Sequence, residues 1–213
     1  MNVKRVVSGL VLFPVAAAIL ILGNKYVVDV AVAILAIMCL HEFYKAFRTG
    51  EKANPITWIG YVLAGMISLI HVLPKDWTVK TIGLLLPITL CILFLYVIIK
   101  NLKVNIIDIA VTFFGIFYIV IFLMYISVIH ENLEHGKLLI WFVFLTAWGT
   151  DIFAYVVGKT LGKHHFTEIS PKKTIEGCIG GTVGAVVITI LYSVLCKYAF
   201  HVEFNYVYVT LIT

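Results

Sequence analysis

An acidic side chain and several lysines occur within one stretch of the chain, residues 147–184, in which a basic loop separates two apolar runs. Asp151 falls inside an otherwise apolar predicted helix, and the loop that follows contains Lys159, Lys163, Lys172 and Lys173. A charged side chain within a segment apolar enough to cross a membrane is energetically costly and is usually retained for a function. A carboxylate can bind a divalent cation and lysines can bind phosphates, so this stretch predicts phosphate chemistry at a membrane surface.

The end of this loop, ISPKKTIEG at 169–177, has two signals for the start of a helix. Ser170, which precedes a proline, is one candidate N-cap, and Thr174 is the second. A helix N-terminus presents unpaired N–H groups and a positive dipole, and the adjacent Lys172 and Lys173 add charge, so a phosphate site is predicted. The alternative, that these two lysines only follow the positive-inside bias and contact anionic lipid, remains open.

Asp151 lies seven residues before Gly158, where the apolar helix is predicted to end. This separation corresponds to about 10 Å along the helix, a depth at which the carboxylate can meet water and a cation. The alternative is that Asp151 hydrogen-bonds a neighbouring helix or faces a small wet pocket. Tyr155, one turn further on the same face, fits either role.

The segment after the loop has small residues at helical spacing, namely Gly177, Gly180, Gly181 and Gly184. Spacing of four between small residues predicts that another helix, or a lipid substrate, approaches the backbone closely.

Other titratable residues give weaker signals. His164 and His165 are adjacent, so they would not turn towards one metal, and they are predicted to be solvated loop residues. Asp29 and Asp108 are predicted to be interface groups at span ends. Glu42, at the cytoplasmic end of its span, is a second-tier catalytic candidate.

Composition excludes an ordinary soluble protein. The chain of 213 residues is 62% hydrophobic and only 13% charged, with a mean hydropathy of +1.06. These values predict an all-α polytopic integral membrane protein. The formal net charge of +5 comes from lysines and arginines in short loops between apolar runs, so nucleic acid is not predicted as a partner.

About seven full transmembrane helices and a partial eighth are predicted from the apolar runs. The spans are approximately 6–22, 26–43, 58–73, 82–99, 106–129, 138–157 and 177–196, and the eighth begins near Phe204. We expect residues 1–213 to form a single transmembrane helical domain. Its helices in 1–137 have little motif content, and 138–213 contain the helices and loop with the candidate site.

The distribution of basic residues predicts the orientation of these spans. With the N-terminus inside, eleven of the 16 basic residues lie in inner segments, which favours a cytoplasmic N-terminus and a cytoplasmic loop 158–176. The ten residues from Phe204 to Thr213 span about 15 Å of helix, against a hydrocarbon core of about 30 Å. We therefore expect this chain to be part of a longer polypeptide.

These motifs resemble the phosphatidate cytidylyltransferase family, also called CDP-diacylglycerol synthases. The resemblance rests on Trp148 to Asp151, Ala154 and Tyr155, Gly158, the GKH at 162–164 and above all SPKKTIEG at 170–177. It implies transfer of a cytidylyl group from CTP to phosphatidic acid in phospholipid biosynthesis, with release of pyrophosphate and a requirement for Mg²⁺. It also implies a bacterial inner-membrane location, contact with membrane lipids and a homodimer.

The resemblance further implies roles for individual residues. Asp151 would bind the metal and act in catalysis together with Lys172 and Lys173. The residues implied to bind phosphates are Ser170, Lys172, Lys173, Thr174, Glu176 and Lys163. For Glu176, a role in capping, in orienting other groups or in assisting at the metal is also implied. A Lys-Asp and Asp-Arg signature of the family is expected beyond Thr213, which leaves open whether the printed chain alone is active.

Two other functions remain open from the sequence. A CTP-dependent lipid kinase of the dolichol kinase kind would share the intramembrane acid and the basic loop but transfer the γ-phosphoryl group. A secondary transporter would use Asp151 as a proton or cation site and the glycine run as a broken helix.

Overall fold

The computed structural model describes residues 3–72, 74–100, 103–167, 170 and 173–213, with side chains from Phe13 onward except those at 75, 76, 78 and 79. Within these ranges the chain is helical, and its one β contact is an isolated bridge between His165 and Thr174. The prediction of an all-α fold is confirmed for these ranges. The helices form two compact units, residues 1–134 and 135–213.

The first unit contains six α-helices in the described part of the chain. They are α1 (Val3–Leu22), α2 (Lys25–Thr49), α3 (Thr57–Met66), α4 (Lys75–Ile99), α5 (Ile106–Gly115) and α6 (Phe122–Asn132). Helix α3 continues as a 3₁₀ segment, Ile67–Val72, and a π-helical turn, Ile116–Ile121, joins α5 to α6.

The second unit contains α7 (Gly136–Leu161), α8 (Ile175–Phe200) and the short α9 (Tyr206–Ile212). Helices α7 and α8 are antiparallel neighbours along most of their length. At one end the Tyr192 hydroxyl donates to the Leu138 carbonyl at 3.0 Å, and at the other Gly158 lies against Gly177.

Five helical segments in the described ranges are long and apolar enough to cross a membrane. They are Lys25–Thr49, Lys80–Ile99, Ile106–Asn132, Gly136–Leu161 and Ile175–Phe200. The spans predicted at 6–22 and 58–73 fall on helices whose described apolar parts, Phe13–Leu22 and Thr57–Val72, are shorter. The count of seven full spans and a partial eighth therefore stays a prediction.

The core of the first unit surrounds Tyr44, whose side chain is fully buried. Its hydroxyl donates to the Thr112 carbonyl at 3.0 Å, so the buried polar atom is satisfied. Gly60 and Gly115 make room for the ring, since a Cβ on either glycine would lie 2.7 Å from a Tyr44 atom. The aromatic ring thus fixes how α2, α3 and α5 pack together.

A buried polar cluster joins three elements of the same unit. Asp29 is fully buried, and its carboxylate oxygens lie 2.8 and 2.9 Å from Nδ1 of His71. Nε2 of His71 lies 3.2 Å from Oδ1 of Asn132. Asp29 is thus buried among protein side chains, and its predicted place near the membrane interface stays a prediction. A carboxylate this deep needs a charged or hydrogen-bonding partner, and the local sequence around Asp29 does not reveal one 42 residues away.

Candidate functional site

The close approach of α7 and α8 depends on the glycines predicted to allow it. A Cβ built on Gly177 would lie 2.9 Å from the Ala154 carbonyl oxygen, and one on Gly181 would lie 3.0 Å from that of Thr150. Gly180 accommodates the side chain of Val157. Of the two occupants that the spacing left open, a helix and a lipid, the structure shows a helix, namely α7.

Helix α8 begins after Thr174, the second of the two predicted N-caps. The Thr174 hydroxyl accepts the Gly177 N–H at 3.1 Å, and the backbone of Thr174 is extended, as an N-cap requires. Ser170 lies in the preceding turn, where its carbonyl accepts the Lys173 N–H at 3.0 Å. The alternative helix start at Ser170 is therefore not the start of α8.

The first N–H groups of α8 already have partners within the protein. The Ile175 N–H donates to the His164 carbonyl at 3.0 Å, and the Cys178 N–H donates to that of Thr174 at 3.0 Å. With the Gly177 N–H bound by its cap, this turn presents few unpaired donors to a phosphate. Attraction of an anion here rests on lysine side chains and the helix dipole rather than on free N–H groups.

A cavity of about 610 Å³ lies between α7 and the start of α8. Three of its lining residues, Asp151, Tyr155 and Lys159, are four residues apart on one face of α7. The remaining described lining residues are Thr150, Ala154, Gly158, Lys173, Thr174, Gly177, Cys178 and Thr182. One acidic and two basic side chains thus share a cavity large enough for a small ligand.

The charged groups of this cavity are available to a ligand. Asp151 is exposed, and within the described ranges its carboxylate has neither a hydrogen-bond nor an ion-pair partner. Lys173 is also exposed, and its side chain forms neither a hydrogen bond nor an ion pair with the described residues. The ammonium of Lys159 lies 5.8 Å from the centre of the Tyr155 ring. Separate opposite charges of this kind suit a ligand with both phosphates and a bound cation.

The donor chemistry of the cavity fits a magnesium ion shared with a substrate. No group of three or more His, Cys, Asp or Glu residues that could hold a metal occurs among the described residues. Mg²⁺ is commonly held by one or two carboxylates together with substrate phosphates and water. Asp151 fits this shared mode, whereas the described residues do not form a protein-only cage.

Glu176 makes hydrogen bonds to the loop before α8. One carboxylate oxygen lies 2.6 Å from Nδ1 of His164, and the other accepts the N–H groups of Lys163 at 3.1 Å and His164 at 3.3 Å. The hydrogen bond from His164, followed by those from backbone N–H groups, lowers the pKa of Glu176 to about 2. Glu176 is therefore an ionised acceptor for the loop, and it is not among the described residues that line the cavity.

The structure brings together only some of the residues predicted for the site. Asp151, Lys173 and Thr174 line one cavity. Lys163, Ser170 and Glu176 are not among the described lining residues, and Lys172 lies outside the described residues.

The sequence interpretation placed Lys159 in the loop, whereas it lies on the last turns of α7. The helix continues to Leu161, beyond the predicted end at Gly158. The signal that could have placed it is its position eight residues after Asp151, which is two helical turns along one face. Asp151 consequently lies ten residues, or about 15 Å, from the helix end.

The sequence is similar to known cytidylyltransferases. A model of the cytidylyltransferase family matches residues 3–213. The chain is 27% identical over 217 residues to a phosphatidate cytidylyltransferase of Synechocystis sp., covering 90% of this chain and 72% of that protein.

Two staphylococcal proteins of the same name are similarly related. The one from Staphylococcus haemolyticus is 28% identical over 203 residues, covering 94% of this chain and 73% of that protein. The one from Staphylococcus saprophyticus is 29% identical over 172 residues, covering 76% and 65% respectively. The chain thus spans between 65% and 73% of the length of these three relatives. Since the family model covers nearly the whole chain, the protein belongs to the cytidylyltransferase family.

Proposed function

We propose that the α7–α8 cavity transfers a cytidylyl group from CTP to phosphatidic acid, giving CDP-diacylglycerol and pyrophosphate. Family membership and relatives named phosphatidate cytidylyltransferase support CDP-diacylglycerol synthesis. The structural observation that carries the proposal is the cavity in which the carboxylate of Asp151, which has no hydrogen-bond or ion-pair partner among the described residues, faces the same space as Lys159 and Lys173.

The reaction brings two polyanions together. A phosphate oxygen of phosphatidic acid attacks the α-phosphorus of CTP and forms a new P–O bond. The bond from the α-phosphorus to the bridging oxygen breaks, and its electron pair leaves with pyrophosphate. Because the attacking group is already an anion, no strong general base is required. The main task of the protein is to position the phosphates and offset their charge.

Lys173 and Lys159 are suited to this task. Both lie at the cavity, so their ammonium groups can reduce the repulsion between the two substrates and stabilise the charge of the departing pyrophosphate. Thr174 holds the first turn of α8 in place beside them through its cap. In the same proposal, Lys172, Ser170 and Lys163 bind phosphates of the substrates, as the family resemblance implies.

Asp151 is the proposed metal ligand. When bound, a Mg²⁺ ion neutralises phosphate charge and makes the α-phosphorus more electrophilic. The carboxylate of Asp151 would hold that ion at the cavity, and no side chain in the described part of the chain competes for it by a hydrogen bond or ion pair.

The test uses the position of the label in CTP. Membranes that contain the full-length protein are given phosphatidic acid and CTP labelled at either the α- or the γ-phosphate. Label from the α-phosphate in lipid supports cytidylyl transfer. Label from the γ-phosphate alone would identify a lipid kinase. Flux of a solute in sealed vesicles without nucleotide-dependent lipid conversion would identify a transporter.

The proposal includes a topology in which the N-terminus and the loop 158–176 face the cytoplasm of a bacterial cell, with seven crossings and a partial eighth. Eleven of the 16 basic residues fall on that side. A single cysteine placed at Ser170 in a cysteine-free variant should react with a membrane-impermeant maleimide in inverted vesicles and not in intact spheroplasts.

A homodimer embedded in membrane lipid also belongs to the proposal, on the strength of the family resemblance alone. Cross-linking in native membranes checks it, because a specific dimer gives one band at twice the monomer mass that persists when expression is reduced. If the fraction of the protein that is cross-linked falls as expression is reduced, a specific dimer is contradicted.

A further inference from the structure

The loop between α7 and α8 is folded back on itself over the described residues. His165 and Thr174 form an antiparallel bridge, and the Phe166 N–H donates to the Lys173 carbonyl at 2.9 Å. The Ile175 N–H donates to the His164 carbonyl at 3.0 Å. The backbone of Lys173 is therefore tied directly to the segment that begins at His164.

Glu176 is the main side-chain acceptor in this arrangement. Its two oxygens accept three hydrogen bonds, from the His164 imidazole and from the N–H groups of Lys163 and His164. We call Glu176, His164 and the backbone of Lys163 the loop clasp. Hydrogen bonds to a charged acceptor are about twice as strong as neutral ones, so the clasp is a strong link between the loop and α8.

The clasp also determines which ring nitrogen of His164 acts as the donor. An ionised carboxylate only accepts hydrogen bonds, so Nδ1 of His164 must carry a proton. The His164 side chain is 73% exposed, whereas that of Glu176 is only 26% exposed.

We infer that Glu176 and His164 are positioning residues, which hold Lys173 at the α7–α8 cavity without themselves contacting the reacting phosphates. The inference rests on the proposed function. Glu176 on α8 binds Lys163 and His164 in the loop. Because His165 in turn forms a bridge with Thr174, these bonds also restrain the backbone at Thr174 and at the preceding residue, Lys173. The role of Glu176 is thereby separated from phosphate binding, with which the family resemblance had grouped it.

The experiment compares four variants of the full-length protein: Glu176→Ala, His164→Ala, His164→Asn and the double variant with both alanines. His165→Ala is the matched control, because its imidazole neighbours His164 in sequence but makes no hydrogen bond to the described residues. Two measurements are made on each variant that elutes as a single species in detergent. They are KM for CTP and kcat in cytidylyl transfer, and the rate of tryptic cleavage after Lys163 and Lys173.

We expect Glu176→Ala to raise KM for CTP by about tenfold or more with a smaller change in kcat, because loss of a charge-assisted hydrogen bond changes an equilibrium by that factor. Cleavage of the loop should accelerate by a similar factor, since local opening exposes it. His164→Ala should have a smaller effect, because two backbone N–H groups still bind Glu176. His164→Asn should restore most of the loss, and the double variant should be no worse than Glu176→Ala.

Two results would overturn the inference. One is wild-type cleavage of the loop in Glu176→Ala, which would show that the clasp does not hold the loop. The other is faster cleavage with an unchanged KM for CTP, which would show that the held loop does not position the substrate. If the wild-type protein transfers no cytidylyl group, the proposed function fails, while the cleavage measurement still decides whether the clasp exists.

Discussion

Gly158 of α7 and Gly177 of α8 lie against each other next to the candidate site. A Cβ built on Gly177 would lie 3.1 Å from the Cα atom of Gly158, and one on Gly158 would lie 3.5 Å from the Cα atom of Gly177. Both glycines line the cavity that contains Asp151 and Lys173. The contact between the two backbones therefore sets the distance between α7, which carries Asp151, and the start of α8.

Gly177→Ala tests this contact. Its new methyl group would lie 2.9 Å from the Ala154 carbonyl oxygen, so α8 must shift away from α7. Overpacking of this kind costs about 1–3 kcal/mol. We expect Gly177→Ala to unfold at a lower temperature in detergent than the wild-type protein. The rate of cytidylyl transfer should fall by a larger fraction than in the Gly65→Ala control.

Gly65→Ala is the control for that substitution. Gly65 lies inside α3, and a Cβ there would meet no atom of the described chain within 4 Å. Alanine favours a helix over glycine by about 1 kcal/mol, so stability should be unchanged or slightly higher. Equal losses in both variants would contradict the role assigned to the Gly158–Gly177 contact.

Asp151→Asn tests the carboxylate of the cavity. The amide keeps the size of the side chain but loses the charge that would hold a cation, and we expect kcat/KM to fall by about 100-fold or more. The Mg²⁺ concentration needed for half-maximal rate should also rise. Near-normal turnover with an unchanged Mg²⁺ requirement would remove Asp151 from the site.

Lys173→Ala tests the opposite charge. Lys173 is exposed at the cavity and has no protein partner in the described ranges, so its loss should leave the unfolding temperature unchanged. We expect a loss of kcat/KM of about tenfold to 1000-fold, as for removal of one group that stabilises developing charge. Lys45→Ala, which removes an exposed lysine outside the cavity, is the control and should keep the wild-type rate.

Local sequence patterns predicted a large part of this architecture. Apolar runs located α2, α4, α7 and α8, because a helix must be apolar over about 20 residues to cross a bilayer. Four-residue glycine spacing on α8 predicted a close neighbour, which is α7. The N-cap at Thr174 was one of two predicted starts, and only the folded loop distinguishes them.

The sequence could not reveal partners that only folding brings together. Glu176 and His164 are 12 residues apart, and Asp29 and His71 are 42 residues apart. Neither separation is a helical repeat, so no periodicity indicates the pairs. In both pairs, folding supplies a hydrogen-bonding partner for a carboxylate. Glu176, which was expected to bind phosphates, binds the loop instead.

The low pKa of Glu176 predicts how the loop responds to acid. Its ordinary value is 4.5, and hydrogen bonds in the folded loop lower it to about 2. The folded pKa is the lower one, so the clasp contributes fully above about pH 4.5 and its contribution is lost as pH falls towards 2. We expect hydrogen exchange of the Lys163 and His164 amides, corrected for intrinsic rates, to accelerate across this window. Glu176→Gln should abolish that pH dependence, and a wild-type profile in this variant would exclude Glu176 as its source.

The buried Asp29–His71 pair predicts a separate stability effect in the first unit. Removing one member of a buried pair leaves the other without compensation, which costs about 3–5 kcal/mol. We therefore expect His71→Ala to lower the thermal unfolding temperature markedly, as measured by tryptophan fluorescence in detergent. His41→Ala is the control, because His41 is exposed and, among the described residues, makes one side-chain hydrogen bond, to the Tyr61 hydroxyl at 3.1 Å. Combining His71→Ala with Asp29→Ala should cost less than the sum of the two single changes, since no uncompensated carboxylate remains. Strictly additive losses would show that the two side chains contribute independently and that their contact adds no stability.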